Sequence, residues 1–468
     1  MNKFILNYLG VFFILLSGLS FFNIIYSYYF NLYLNIDTYF YTLLISFFVG
    51  AASLIKKNKD IKINIYQKIF AVISGYFLIP LLISIPYYFS IYNVSFLNCY
   101  FEAVSGFTST GFSIFENIKH IDESLILWRS TSQWIGGIYF LFSIVLLINI
   151  FDDSLKKSLT NFISFNASEI FKQYFKIFIL YLFLTFFLFI SLKLIDLRTF
   201  DSFNLAMTII SSGGFLPFND IETILNSNFK KVSFSILMLF SFFSLFLTYN
   251  IFFLKKKSLN FFAEDAYLFI YFLILVLIFF IFFNFEYNFS SILFSITSSV
   301  SNIGISLNNS PINLSFLFLI LVIIGGSFFS TSSGIRFLKL YSLFKFSINE
   351  ILSYTKPNYV YINKIYLLDS NINQKDINKY FLSVLIFIIS LLTISSLLTL
   401  SALDFSESFK LSILTLMNTV NSSMYNLENF NFLNLHEFSK LVLILFMIIG
   451  RVELLTILII SKKFLFKN

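Results

Sequence analysis

Apolar runs close to twenty residues long recur along the whole chain, at roughly 5–27, 38–55, 68–90, 126–151, 173–195, 232–254, 264–285, 314–345, 380–401 and 438–461. About 20 apolar residues is what an α-helix needs to cross the hydrocarbon core of a bilayer. Ten such runs cannot be hidden in a water-soluble fold of 468 residues. Hydrophobic residues make up 58% of the chain and charged ones 12%, and mean hydropathy is +0.84. The reading is an all-α integral membrane protein. Ten spans put both termini on one side. Asn2 to Asn23 resembles a signal sequence, but no small-x-small cleavage site follows, so it reads as a retained first helix. The 69 Phe residues are read as lipid contacts rather than a cofactor box.

Charge follows the same topology. Basic residues gather in alternate loops: Lys56, Lys57, Lys59, Lys62 and Lys68, then Lys156, Lys157 and Lys172, then Lys255–Lys257, the Arg336 to Lys379 stretch, and Lys462, Lys463 and Lys467 with Lys3. The positive-inside rule makes that face, and both termini, cytoplasmic. The net charge of +8 is thereby a membrane signal, and no nucleic-acid partner is expected. The other face carries Glu102, Glu116, Asp122, Glu123, Asp201, Asp220, Glu222, Glu286, Asp404, Glu407 and Glu428. Acids there would raise the local concentration of cations. Cys99 is the one cysteine, and His120 and His436 are the one pair of histidines. Disulfide frameworks, thiolate metal clusters and Ser–His chemistry have little to be built from.

Between certain spans, on the acidic side, lies a segment too short to cross: Leu97–Thr110, Phe203–Ser212, Ile292–Asn302 and Phe409–Ser422. Each is followed by small and polar residues. Aligned, the four turns read Thr108-Ser109-Thr110-Gly111-Phe112, Ser211-Ser212-Gly213-Gly214-Phe215, Ser301-Asn302-Ile303-Gly304-Ile305 and Ser422-Ser423-Met424-Tyr425. One Ser/Gly turn says little, but four at matched positions between apolar spans define an internal repeat. Irregular backbone at membrane depth is tolerated only where it is buried in protein or lines water. A half-helix ending in an extended turn is how a filter strips water from an ion. One chain therefore carries an N-terminal two-helix unit (1–60) and four helix–pore-helix–helix repeats in pseudo-fourfold array (61–155, 156–258, 259–365 and 366–468).

At these turns the sequence resembles the Trk/Ktr/HKT family of cation transporters, especially the bacterial TrkH type with its extra N-terminal helix pair. The resemblance covers nearly the whole chain. It rests on Ser105-Gly106-Phe107-Thr108-Ser109-Thr110-Gly111-Phe112, Gln133-Trp134-Ile135-Gly136-Gly137, Ser211-Ser212-Gly213-Gly214-Phe215, Gly325-Gly326-Ser327 with Ser330-Thr331-Ser332-Ser333-Gly334-Ile335-Arg336, Asn418-Thr419-Val420-Asn421, and Gly450-Arg451-Val452-Glu453-Leu454-Leu455-Thr456. The resemblance implies a potassium-uptake pore, not an enzyme, with K+ as the transported ion and no organic cofactor. Its filter would be Ser109, Thr110 and Gly111; Ser212, Gly213 and Gly214; Asn302, Ile303 and Gly304; and Ser422 and Ser423, with Met424 at the fourth glycine position. A gate beneath would comprise Gly325, Gly326, Ser327, Ser330, Thr331, Ser332, Ser333, Gly334 and Arg451. The resemblance further implies a homodimer in the bacterial inner membrane, bound to a cytosolic nucleotide-binding TrkA-type subunit through basic loops such as Lys255–Lys257 and Arg336–Lys364.

The chain departs from the family at the fourth turn, where Met424 and Tyr425 replace Gly and Pro, and at the gate, where Phe328 and Phe329 are bulkier. In plant relatives Ser at the first filter glycine goes with sodium preference; Gly111 favours potassium. The alternatives are a sodium-permeable pore, a non-conducting assembly subunit, and a membrane enzyme. The enzyme reading would need acids or a nucleophile–base pair inside the spans, which hold almost none.

Overall fold

A computed structural model describes residues 3–55, 64–151, 170–245, 263–283, 287–308, 310–355, 374–427, 430–452 and 456. The basic loop residues Lys56–Lys62, Lys156, Lys157 and Lys255–Lys257, the 356–373 part of the Arg336–Lys379 stretch, Glu286, Glu428, Glu453–Leu455 and the C-terminal lysines lie outside them.

All the regular structure described is helical. Helices α1 (Lys3–Tyr29) and α2 (Ile36–Leu54) form an antiparallel pair that packs against the next helix. Four units follow. The first is α3 (Ile65–Tyr88), α4 (Phe96–Phe107) and α5 (Glu123–Phe151); the second is α6 (Ile170–Leu194), α7 (Thr199–Ile210) and α8 (Asn228–Phe242). In the third, α9 (Ala263–Phe283) and α10 (Phe289–Val300) lead to a broken span, α11 (Ser315–Ile324) and α12 (Phe337–Ser353). The fourth is α13 (Gln374–Thr399), α14 (Phe405–Leu416) and α15 (Glu437–Val452).

Seven of the ten expected spans are continuous helices of at least 18 residues, long and apolar enough to cross a membrane. The other three differ for identifiable reasons. The run at 232–254 stops being regular at Phe243, and residues beyond Leu245 are outside the described set. The run at 314–345 is interrupted from Gly325 to Arg336. The last is helical through Val452, beyond which little is described.

Burial separates the helices by role. The apolar window of α5 is wholly buried, whereas only 22% of that of α9 is, so α5 lies in the protein interior and α9 presents its side chains outward. Trp128 Nε1 of α5 donates to Ile83 O (3.0 Å) and Tyr139 Oη donates to Val72 O (2.8 Å), fastening α5 to α3. α3 begins with a reciprocal capping box between Asn64 and Gln67 that satisfies two N-terminal amides.

Helix contacts run in a closed circuit. α5 of the first unit packs on short helix α7 of the second, α8 on α10, α11 on α14, and α15 back on α4. Each unit's last helix thereby supports the next unit's short helix, and four units close a ring without a second chain.

Candidate functional site

The four short helices end alike. After α4, Ser109 takes a left-handed conformation (φ 58°), as do Ser212 (57°) after α7, Asn302 (58°) after α10 and Asn418 (46°) after α14. In each case the next residue's N–H reaches back five residues: Thr110 to Ser105 O, Gly213 to Thr208 O, Ile303 to Ser298 O and Thr419 to Leu414 O, at 2.9–3.1 Å. These are Schellman closures, which satisfy terminal carbonyls of the helix. The left-handed position is held by Ser or Asn rather than Gly in all four. Asn takes that conformation more readily than most L-residues.

This geometry corrects the expected fourth turn. The stretch matching Ser109-Thr110-Gly111 is Asn418-Thr419-Val420, four residues before Ser422-Ser423-Met424-Tyr425. Ser422 is extended and Ser423–Tyr425 form a separate 3-10 turn closed by left-handed Asn426. Met424 is fully buried outside the ring, its sulfur accepting a hydrogen bond from Ser299 Oγ (3.3 Å) on α10. Ser423 Oγ pairs with Ser306 Oγ (2.6 Å). The position expected to hold glycine is occupied by Val420, and no glycine lies anywhere between Met417 and Asn426.

Side chains link the turns into the same circuit as the helices. Ser212 Oγ donates to Ser301 O, Asn302 Nδ2 donates to Thr419 Oγ1 (3.2 Å), and Asn418 Nδ2 donates to Thr110 Oγ1 (3.0 Å). Between the first two units the approach is backbone to backbone: a Cβ on Gly111 would lie 3.0 Å from Gly214 Cα. Gly111 (φ 84°) and Gly304 (φ 79°) are both left-handed, where an L side chain is strained. The sequence-expected residues of the first three turns are therefore together, and all are buried.

Two supports hold this ring from behind. Gln133 of α5, with its amide oxygen toward the second turn, accepts from the N–H groups of Gly214 (3.1 Å) and Phe215 (3.2 Å). Glu102 of α4 and Arg129 of α5 form a buried ion pair (2.8 Å), exposed 0% and 1%. The carboxylate of Glu102 also accepts from Ile114 N–H (2.8 Å) and Ser113 Oγ (3.1 Å), and Arg129 Nη2 donates to Ser113 Oγ (2.8 Å). Sequence reasoning placed Glu102 among the mouth acids; the structure pairs it internally. The signal available was an Arg inside an apolar span, which calls for a partner at membrane depth.

Below the ring lies the break in the third unit. Gly325 (φ 69°) and Gly334 (φ 91°) sit against each other at the two ends of the loop, and a Cβ on Gly334 would meet Gly325 N at 2.8 Å. The loop's backbone pairs with the end of α8: Ser327 N–H to Phe242 O (3.0 Å), Ser332 N–H to Ser241 O (3.1 Å) and Leu245 N–H to Phe329 O (3.0 Å). Two interrupted helices thus satisfy each other's free groups, as membrane depth demands. Gly326 N–H is held by Ser332 Oγ (3.0 Å), Ser330 Oγ donates to Ser327 O (2.7 Å), and Phe328 N–H donates to Glu264 Oε1 (2.9 Å). Arg336 Nη1 ties the loop's carbonyls together, at Ser332 O (2.7 Å) and Ser327 O (3.1 Å). Phe328, Phe329 and Thr331 are packed inside. Arg451, 2% exposed, bridges this loop to the ring through Ser333 Oγ and Ser211 O (3.4 Å), with its guanidinium 4.0 Å from the Phe140 ring centroid. Among the described residues no carboxylate pairs with it.

Comparison with known proteins agrees with this architecture. The TrkH family model, described as a cation transport protein, matches residues 307–466. An uncharacterised cation transporter of Methanocaldococcus jannaschii is 25% identical over 376 residues, 77% of this chain and 76% of the relative. The Trk system potassium uptake protein TrkH of Escherichia coli K12 is 23% identical over 389 residues, 79% of each. The crystal structure of the potassium transporter TrkH from Vibrio parahaemolyticus superposes with a TM-score of 0.84 over 98% of both chains at 20% identity. These matches support a TrkH-type cation transporter, and the superposition shows the shared fold.

On the other side of the ring lies a cavity of about 430 Å³. Gly111, Gly214, Val420 and Asn421 border it, together with Glu116, Asn219 and Asn431. Asn431 Nδ2 donates to Glu116, and Asn219 joins Asn117 (2.8 Å). The acidic mouth expected from sequence is partly neutralised: Glu123 pairs with Arg198 and Glu222 with Lys231. Among the described acids, Glu116 is the one bordering the cavity.

Proposed function

We propose that the chain is a potassium-uptake pore, with the four turns as its selectivity filter, the Gly325–Gly334 loop as the gate beneath and Arg451 in the ion path between them. The observation that carries this reading is the closed circuit of turns, with Gly111 and Gly304 left-handed and the backbones of the units in close approach. Left-handed glycines let carbonyls approach an ion that no side chain could reach past. The relatives' descriptions, potassium uptake in Escherichia coli and potassium transport in Vibrio parahaemolyticus, supply the ion. Membrane voltage supplies the driving force, about 2.3 kcal/mol per charge per 100 mV. By the same reading the 61–155, 156–258, 259–365 and 366–468 units are the repeats. The protein is a homodimer in the inner membrane with cytoplasmic termini, and a TrkA-type subunit docks on its basic face.

Purified protein in liposomes under an imposed voltage tests this. Potassium flux exceeding sodium flux is expected; absence of flux of either ion overturns the pore reading. A specific observation favours a second reading, a less selective pore: the fourth turn holds Val420 where the others hold glycine. Equal potassium and sodium fluxes would decide for it.

A further inference from the structure

We infer that Val420 is the constriction of the outer pore, an apolar side chain projecting among the filter turns and setting both the rate and the selectivity of ion passage. The inference rests on the pore reading above. Val420 stands two residues past left-handed Asn418, in the register of Gly111 after Ser109, Gly214 after Ser212 and Gly304 after Asn302. Its side chain does not turn away from them. A Cβ built on Gly214 would lie 2.6 Å from Val420 Cγ1 and closer still to Val420 Cβ, and one built on Gly111 would lie 2.9 Å from Val420 Cβ. The isopropyl group therefore fills the space that the glycines of the first two units leave open. On the third unit's side, a Cβ on Gly304 would meet Val420 O at 2.7 Å. All four turns thus close on this one residue. The outer cavity ends on it too, with Gly111 and Gly214 beside it.

The chemistry follows from the side chain. An isopropyl group has no lone pair to replace the water an ion sheds, and an apolar constriction excludes water as well as ions. A valine cannot step aside cheaply, because its branched Cβ restricts χ1. Passage then requires the fourth turn itself to shift. That shift is resisted, because Asn418 and Thr419 just before it are hydrogen-bonded to the first and third turns and to Met447 O.

Three variants separate bulk from polarity: Val420→Gly removes the group, Val420→Ala shortens it, and Val420→Thr keeps the shape but adds an oxygen. Each is purified, checked for folding by thermal unfolding in detergent, and assayed in liposomes for potassium and sodium flux beside the wild type. Val420→Gly should raise potassium flux about tenfold and Val420→Ala less. Val420→Thr should raise flux severalfold despite its unchanged size. The potassium-to-sodium ratio should change in at least the Gly variant. If the wild type conducts and the folded variants match it in rate and ratio, the inference is overturned while the pore reading stands. If neither wild type nor variants pass any monovalent cation, both fall.

Discussion

Removing the carboxylate of Glu102 should be costly, and the structure says by how much and in which currency. Glu102 is fully buried and holds three donors: Arg129 Nε at 2.8 Å, Ile114 N–H at 2.8 Å and Ser113 Oγ at 3.1 Å. In Glu102→Ala the guanidinium stays behind, 1% exposed, with Ser113 and the rings of Phe215 (4.2 Å) and Phe115 (5.8 Å) as its remaining company. Breaking a buried pair by deleting one partner costs about 3–5 kcal/mol. Replacing both ions by apolar groups of similar size is often close to neutral. The double variant Glu102→Leu/Arg129→Met should therefore regain part of the stability lost by Glu102→Ala, leaving a deficit of about 1–3 kcal/mol for the orphaned Ile114 N–H. It should not regain selectivity, because Ser113 and Ile114 directly follow the first turn and lose their anchor in both variants. Denaturant unfolding in detergent gives the stability arm, and potassium and sodium flux in liposomes gives the other. A Glu102→Ala protein within about 0.5 kcal/mol of wild type, or effects of the two positions that simply add, would refute the reasoning, since contacting partners must couple.

Gly111→Ser should lower the potassium-to-sodium flux ratio and destabilise by more than the about 1–2 kcal/mol of a left-handed L-residue, since its Cβ would also meet Val420 Cβ at 2.9 Å and Gly214 Cα at 3.0 Å; a ratio equal to wild type excludes the first turn from the filter. Arg451→Ala should remain folded and change flux or its voltage dependence in patch or liposome recordings. An Arg451→Ala protein that fails to assemble would make its contacts to Ser333 and Ser211 structural instead. Met424→Gly should cost about 2–5 kcal/mol, as for other large-to-small changes in a packed core, and leave selectivity where it was. A sharpened ratio in Met424→Gly would contradict its place behind α10.

The architecture was legible because membrane physics writes it in long strokes. Span length, the four short segments and the small residues after them are each forced by the bilayer, and each survives in the helices described. The Gly325–Gly334 break was not legible that way: hydropathy reads 314–345 as one continuous run, and the gate residues came from the family resemblance alone. What misled the reading was the fourth turn. Ser422-Ser423 looks like Ser211-Ser212 in composition, but the structural marker is the left-handed residue that ends the short helix. In this chain that marker is Ser or Asn, never Gly. Asn418 carried it in plain sight, after an apolar run ending at Leu416. The Glu102–Arg129 pair was missed differently. The two residues lie 27 apart on separate helices, and only packing brings them together.

The ring is also less symmetric than its repeats. At the shared position past the left-handed residue, Gly111 and Gly304 have positive φ, while Gly214 and Val420 do not. The units alternate around the circuit, so like faces like across the centre, and the turns form a two-fold arrangement inside a four-fold scaffold. A glycine is conformationally obligatory only where φ is positive, and so the first and third units are constrained to it by backbone sterics. The second and fourth are not, and the fourth has lost it. Gly214 is kept for a different reason: the side chain of Val420 occupies the space its Cβ would need. The two positions are therefore one packing decision, a large residue on one turn permitted by its absence on the turn opposite. Exchanging them, with Val at 214 and Gly at 420, would conserve the volume at the centre while moving the apolar group to a turn braced by Gln133.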